Sequence, residues 1–153
     1  MKKLENLGLS LTLAAVLCSV TAGQAPQVQL PAGLLPGQSS TLLPDGRTLI
    51  AGGTGQSGPQ NSLTIRGGAT SDVVWTGSLA RARAWHTATV MPQGTVLVLG
   101  GVDANGVVDT AEVFDPTVPE LAALSTPAPS PRAYHTTTLL SDGRVLVAGG
   151  ISQ

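Results

Sequence analysis

Beyond residue 37 the apolar residues come in short runs, and the runs are closed by glycine, proline, asparagine or aspartate. No stretch there holds the three- and four-residue spacing of an amphipathic helix, so the pattern predicts an all-β chain. One arrangement recurs three times: GRTLIAGG at residues 46–53, GTVLVLGG at 94–101 and GRVLVAGG at 143–150. Each copy has a turn glycine, four residues that are mostly β-branched or leucine, one small or apolar residue and a glycine pair. The glycine pairs stand 48 and 49 residues apart. A repeat of that length fits a β-propeller in which each copy is one blade.

The rest of a repeat can be read around that strand. Residues 87–91 predict a strand, 92–94 a tight turn, and 95–99 an apolar antiparallel return, as suits a strand covered on both faces. A polar loop with Asn105-Gly106 leads to a third strand at 110–114, which Asp115-Pro116 ends because proline cannot donate to a ladder. In the first repeat, residues 63–65 and 72–75 take the third and fourth places. The fourth strand of the second repeat falls on residues 118–124, which carry Pro119. An offset of 49 lays Arg83-Ala84-Trp85-His86-Thr87 over Arg132-Ala133-Tyr134-His135-Thr136, whereas the first copy has Gln38 in place of histidine and lacks the arginine. The expected result is two four-stranded antiparallel blades at about residues 38–77 and 84–124, then a half blade at 133–150. Leu49, Leu97 and Leu146 hold equivalent positions and are expected to pack consecutive blades face to face.

The Arg-x-x-His pairs (Arg83/His86 and Arg132/His135), the Asp-Gly turns, the glycine pairs and Glu112-Val113-Phe114-Asp115-Pro116 together resemble kelch repeats. The resemblance covers residues 38–150 and extends more loosely to the kelch-like propeller of secreted galactose-oxidase relatives. It implies a partial kelch-type β-propeller of about two and a half blades. Kelch propellers serve as binding platforms, enzymes and scaffolds alike, so the fold alone does not name an activity. Resemblance to the oxidases would imply copper held by tyrosines and histidines, with one tyrosine cross-linked to a cysteine. This chain has one tyrosine, Tyr134, and one cysteine, Cys18, which lies near the start; it cannot build that centre.

Lys2 and Lys3 precede an apolar run over residues 7–20, and Thr21, Ala22 and Gly23 follow. A basic start, a short apolar core and a small-residue exit predict a signal peptide at residues 1–22, cut after Ala22, and hence a secreted, periplasmic or cell-surface location. The run is too short for a good membrane span. Leu17 is large where a lipid attachment motif at Cys18 needs a small residue. Residues 23–37 read as an extended lead-in, within which 28–30 alternate like a short closing strand. After residue 22 the chain has six arginines against six aspartates and two glutamates. No basic cluster of the kind that holds nucleic acid is present, and no cysteine is left for a disulfide.

The polar side chains point to architecture more than to chemistry. His86 and His135 recur at the repeat period, which favours a hydrogen-bonding role between blades over metal ligation. Arg83 and Arg132 are expected to tie adjacent blades. Asp45 and Asp142 sit in turns, and Glu112 and Asp115 at a strand end are expected to be solvated. The glycine-rich residues 51–55 lack the lysine and the following helix of a phosphate loop. No residue is assigned a catalytic, cofactor-binding or metal-binding role. The reading is a binding or scaffold module for a protein or glycan at the cell surface, contacted through the polar loops at residues 54–61 and 103–108. The alternative is the N-terminal part of a carbohydrate-active or oxidase-like enzyme with its catalytic residues further on. Closed propellers use about four to eight blades, so further repeats in a longer chain or self-association are expected.

Overall fold

The computed structural model describes residues 34–69, 72–118, 124–128 and 130–152. The expected signal peptide, Cys18 and the strand at residues 28–30 lie outside them. Among the described residues all regular structure is β, and every pairing is antiparallel. No helix there is long and apolar enough to cross a membrane.

The first sheet contains β1 (Ser39–Leu42), β2 (Thr48–Ala51), β5 (Ser62–Arg66) and β6 (Val73–Ser78), in that spatial order. The second repeats the arrangement with β7 (Thr87–Val90), β8 (Val96–Leu99), β11 (Thr110–Phe114) and β12 (Leu124–Pro127). A third sheet is the hairpin of β13 (Ala133–Leu139) and β14 (Val145–Ile151). The same register recurs in each: Ser39 opposite Ala51, Thr87 opposite Leu99, Thr136 opposite Ala148. The leading strands β1, β7 and β13 touch one another in sequence, which stacks the sheets along the chain.

Two expectations about local structure are corrected. The loops at residues 54–61 and 103–108 contain short hairpins, β3 (Thr54–Gly55) with β4 (Gly58–Pro59) and β9 (Val102–Asp103) with β10 (Gly106–Val107). Val118 lies in a bend, and the fourth strand of the second sheet is described at Leu124–Pro127, running past the expected limit at residue 124; residues 119–123 lie outside the described residues. Asp115 accepts from the backbone N–H of Thr117 at 2.8 Å, so the chain turns there. Leu124–Pro127 pairs with β11, placing Pro127 at the end of an outer strand where its missing N–H does no harm.

Strand periodicity sorts the apolar side chains onto two faces. Leu49, Ala51, Leu63 and Ile65 of the first sheet form one buried cluster with Val96, Val98 and Phe114 of the second. Trp75 of β6 stacks on Phe114 with ring centroids 5.4 Å apart. The opposite face of the second sheet carries Leu97, Leu99 and Ala111, which with Val145 and Val147 line a cleft of about 550 Å³ facing the third sheet. Leu49 thus packs between sheets as expected and Leu97 is half-buried in the cleft facing the third sheet, but Leu146 packs against no sheet of the described residues: it is 53% exposed. Val145 and Val147 turn toward the second sheet, and alternation puts Leu146 on the far face.

Candidate functional site

The two Arg-Ala-aromatic-His segments begin the second and third sheets, and each lies against the glycine pair of the sheet before. Gly53 N–H donates to the Arg83 carbonyl at 3.0 Å, and Gly101 N–H donates to the Arg132 carbonyl at 3.0 Å. Gly52 (φ 60°) and Gly100 (φ 62°) lie so close beneath those carbonyls that a β-carbon on either would collide with the oxygen. Positive φ and close backbone approach together explain why the pair recurs.

His86 and His135 bridge consecutive sheets, as their repetition suggested. His86 Nε2 lies 2.9 Å from Ser39 Oγ, and His135 Nε2 lies 3.0 Å from Thr87 Oγ1. Both rings are buried, and in each Nδ1 has no partner. The tautomer with hydrogen on Nε2 leaves only a lone pair unmatched, so Nε2–H donates to the hydroxyl. Burial, reinforced by the Arg83 and His135 charges, lowers the His86 pKa to about 4; burial and the Arg132 charge lower that of His135. Both are neutral near pH 7.

Arg83 departs from expectation. Its carbonyl crosses to the first sheet, but its guanidinium serves its own sheet, donating from Nη1 to the carbonyls of Gly100 (3.0 Å) and Thr110 (2.9 Å). Nη2 donates to Glu112 Oε1 at 2.5 Å, and both side chains are fully buried. Glu112 is therefore not solvated: it also accepts from the backbone N–H groups of Ala80 (2.7 Å) and Arg81 (3.1 Å), fixing the connection between the first two sheets. Arg132 donates to the Gly149 carbonyl (2.8 Å) and to Ser130 Oγ (2.7 Å), also within its own stretch of chain. The turn acids keep local roles. Asp45 accepts from Arg47 and Asp142 from Arg144, and these hydrogen bonds hold both carboxyls below their usual range.

The residue between alanine and histidine carries the feature that sequence reasoning missed. Trp85 (φ 59°) and Tyr134 (φ 57°) are both in the left-handed region, where a bulky side chain costs roughly 1–3 kcal/mol. Trp85 N–H donates to the Gly37 carbonyl at 2.8 Å and Tyr134 N–H to the Trp85 carbonyl at 3.1 Å, so neighbouring sheets hold the conformation in place. The rings stack with centroids 5.1 Å apart, and the indole lies over Gly37. Trp85 is nevertheless 40% exposed and Tyr134 53% exposed. Beside the indole opens a largely apolar cleft of about 440 Å³, lined by Leu34, Leu35, Pro36 and Gly37, with Gln38 and Ser40 as its polar members. The signal was available in the sequence, since Gly37, Trp85 and Tyr134 share one repeat position and the glycine there marks an unusual backbone.

The histidines and acids of the described residues are dispersed. No three of histidine, cysteine, aspartate or glutamate gather among them, and each histidine spends Nε2 on a hydroxyl in a separate junction. What the arrangement offers is a rigid aromatic ledge beside an apolar cleft. The chain matches no family model, and no relative was found among curated proteins.

Proposed function

We propose that the chain is part of a kelch-type β-propeller, exported by residues 1–22, that acts as a binding module for a glycan or protein partner. The repeat period, the recurring four-stranded antiparallel sheets and their stacking through the leading strands support the propeller reading. The binding reading rests on one observation: two bulky aromatics are held stacked and exposed in a costly backbone conformation. Strain of that kind persists where surrounding structure enforces it, and it gathers at ligand clamps. An exposed indole and phenol supply flat apolar faces with polar edges, suited to the C–H face of a pyranose or to a protein side chain. The contact site is thus this ledge with its cleft, in preference to the residue 54–61 and 103–108 segments, which have no aromatic.

Glycan-array screening followed by calorimetric titration of the best oligosaccharide tests the proposal. Trp85→Ala and Tyr134→Ala should each weaken binding at least tenfold, with Tyr134→Ala leaving the thermal midpoint nearly unchanged because the ring is more exposed. Absence of any glycan or protein ligand, or an affinity in both variants equal to that of the unsubstituted protein, overturns it.

A further inference from the structure

The junction between consecutive sheets is built from one set of contacts, and among the described residues it stands twice filled and once open. In the filled cases the second glycine of a pair donates to an arginine carbonyl (Gly53 to Arg83, Gly101 to Arg132, both 3.0 Å). A histidine ring lies over the first glycine and reaches a hydroxyl on the leading strand (His86 to Ser39 at 2.9 Å, His135 to Thr87 at 3.0 Å). The aromatic residue's N–H donates to the carbonyl at the same position one repeat earlier.

The third sheet presents the receiving half of this junction. Gly149 (φ 72°) and Gly150 (φ 83°) have the left-handed backbone of the earlier pairs. Thr136 stands opposite Ala148, as Thr87 stands opposite Leu99 and Ser39 opposite Ala51. Thr136, Gly149 and Gly150 are exposed, and a β-carbon at Gly149 would meet nothing within 4 Å. Leu146 and Ile151 are exposed on the same hairpin.

We infer that this face of β13–β14 is a docking surface for a polypeptide segment of the form Arg-small-aromatic-His-Thr, the kind that fills the two equivalent places. Its arginine carbonyl accepts from Gly150 N–H, its aromatic N–H donates to the Tyr134 carbonyl, and its histidine Nε2–H donates to Thr136 Oγ1. The aromatic ring stacks on the outer face of Tyr134, as Tyr134 stacks on Trp85. The specificity lies in the histidine, which reaches across to a side chain in both filled junctions, and in the open space over Gly149. The inference does not depend on the ledge binding a glycan.

The test uses the full chain, isotopically labelled, titrated with a synthetic peptide of residues 79–90 (LARARAWHTATV) while backbone amide resonances are followed. The expected result is saturable shifts at Gly149, Gly150 and Thr136 at submillimolar peptide, with Gly52 and Gly53 unaffected. Replacing the peptide histidine by alanine should weaken binding at least tenfold, and Gly149→Val in the chain should abolish it. Trp85→Ala should leave this docking within twofold, which separates it from failure of the ligand proposal. No shift at those amides up to millimolar peptide, or an equal response to the alanine peptide, overturns the inference. So does a dimer by sedimentation velocity in which Gly149 is shielded by the Gln38 end of a second copy, because the occupant is then not an Arg-x-x-His segment.

Discussion

Arg83 and Arg132 occupy equivalent places in consecutive repeats, and their surroundings differ. Arg83 is buried with Glu112, and that carboxylate also gathers the backbone of Ala80 and Arg81. Among the described residues, Arg132 donates to a carbonyl and to the hydroxyl of Ser130, neither partner being a carboxylate. The apolar contacts follow the same division. The first two sheets enclose Leu49, Leu63, Ile65, Val96 and Phe114, whereas the second and third leave a cleft beside Leu97 and Val147. The histidine–hydroxyl pair and the glycine beneath the arginine carbonyl are nevertheless common to both junctions, although Thr41 meets the Ala88 carbonyl at the first where Thr89 and Thr137 join their hydroxyls at the second. Contacts made at the leading strands therefore recur in both junctions, and the strands behind them add the buried apolar residues that stabilise the first.

Substitutions can break this comparison at different depths. Glu112→Ala leaves Arg83 charged and buried without its partner, which typically costs about 3–5 kcal/mol. Ser130→Ala at the second junction should change stability by no more than about 1 kcal/mol, since the Arg132 head stays near water. Urea unfolding of both variants checks the contrast, and equal losses would mean that the two junctions contribute alike.

A smaller effect is expected from pH. His86 titrates near pH 4 in the fold against about 6.5 when unfolded, so between those values the unfolded chain holds more protons. Its contribution is fully present above pH 6.5 and is lost as pH falls toward 4, amounting to roughly 3 kcal/mol across the window. Urea midpoints measured from pH 7 to pH 4 should fall accordingly, and His86→Gln should flatten the curve. A profile identical in that variant would place the proton uptake elsewhere.

The smallest of the three sharpens the role of the glycine pairs. Gly100→Val forces a side chain into the Arg132 carbonyl as well as into positive φ, and about 1–3 kcal/mol should be lost as the third sheet is pushed away. Gly149→Val meets open space and carries only the backbone strain, about 1 kcal/mol. Thermal midpoints of the two variants should keep that order.

Repetition made much of this legible in the sequence. The glycine pairs, the Asp-Gly turns and the β-branched runs marked the strands closely, and the recurrence of His86 and His135 indicated a junction role before any geometry was known. Repetition was also where the reading fell short. Glu112 stands where the first repeat has Thr64, so nothing in the period hinted that it would be buried. The fourth strand of the second sheet runs on to Pro127 because its place is fixed by pairing with β11, a long-range condition that the local run ending at Leu124 does not express. Trp85 and Tyr134 aligned with each other from the outset, but their left-handed backbone arises from hydrogen bonds between sheets and is visible locally only through Gly37.

The aromatic stacks also make each junction its own optical reporter. The chain has two tryptophans and one tyrosine. Trp75 lies on Phe114 between the first and second sheets, and Trp85 lies on Tyr134 between the second and third. At 5.1 Å, excitation of the tyrosine passes to the indole, and phenol emission is dark while the third sheet stays docked. If that hairpin swings away, tyrosine fluorescence returns and the near-ultraviolet dichroism of the ring pair fades, while the Trp75 signal is undisturbed. The order in which the two junctions separate can then be followed in the unlabelled protein with light alone.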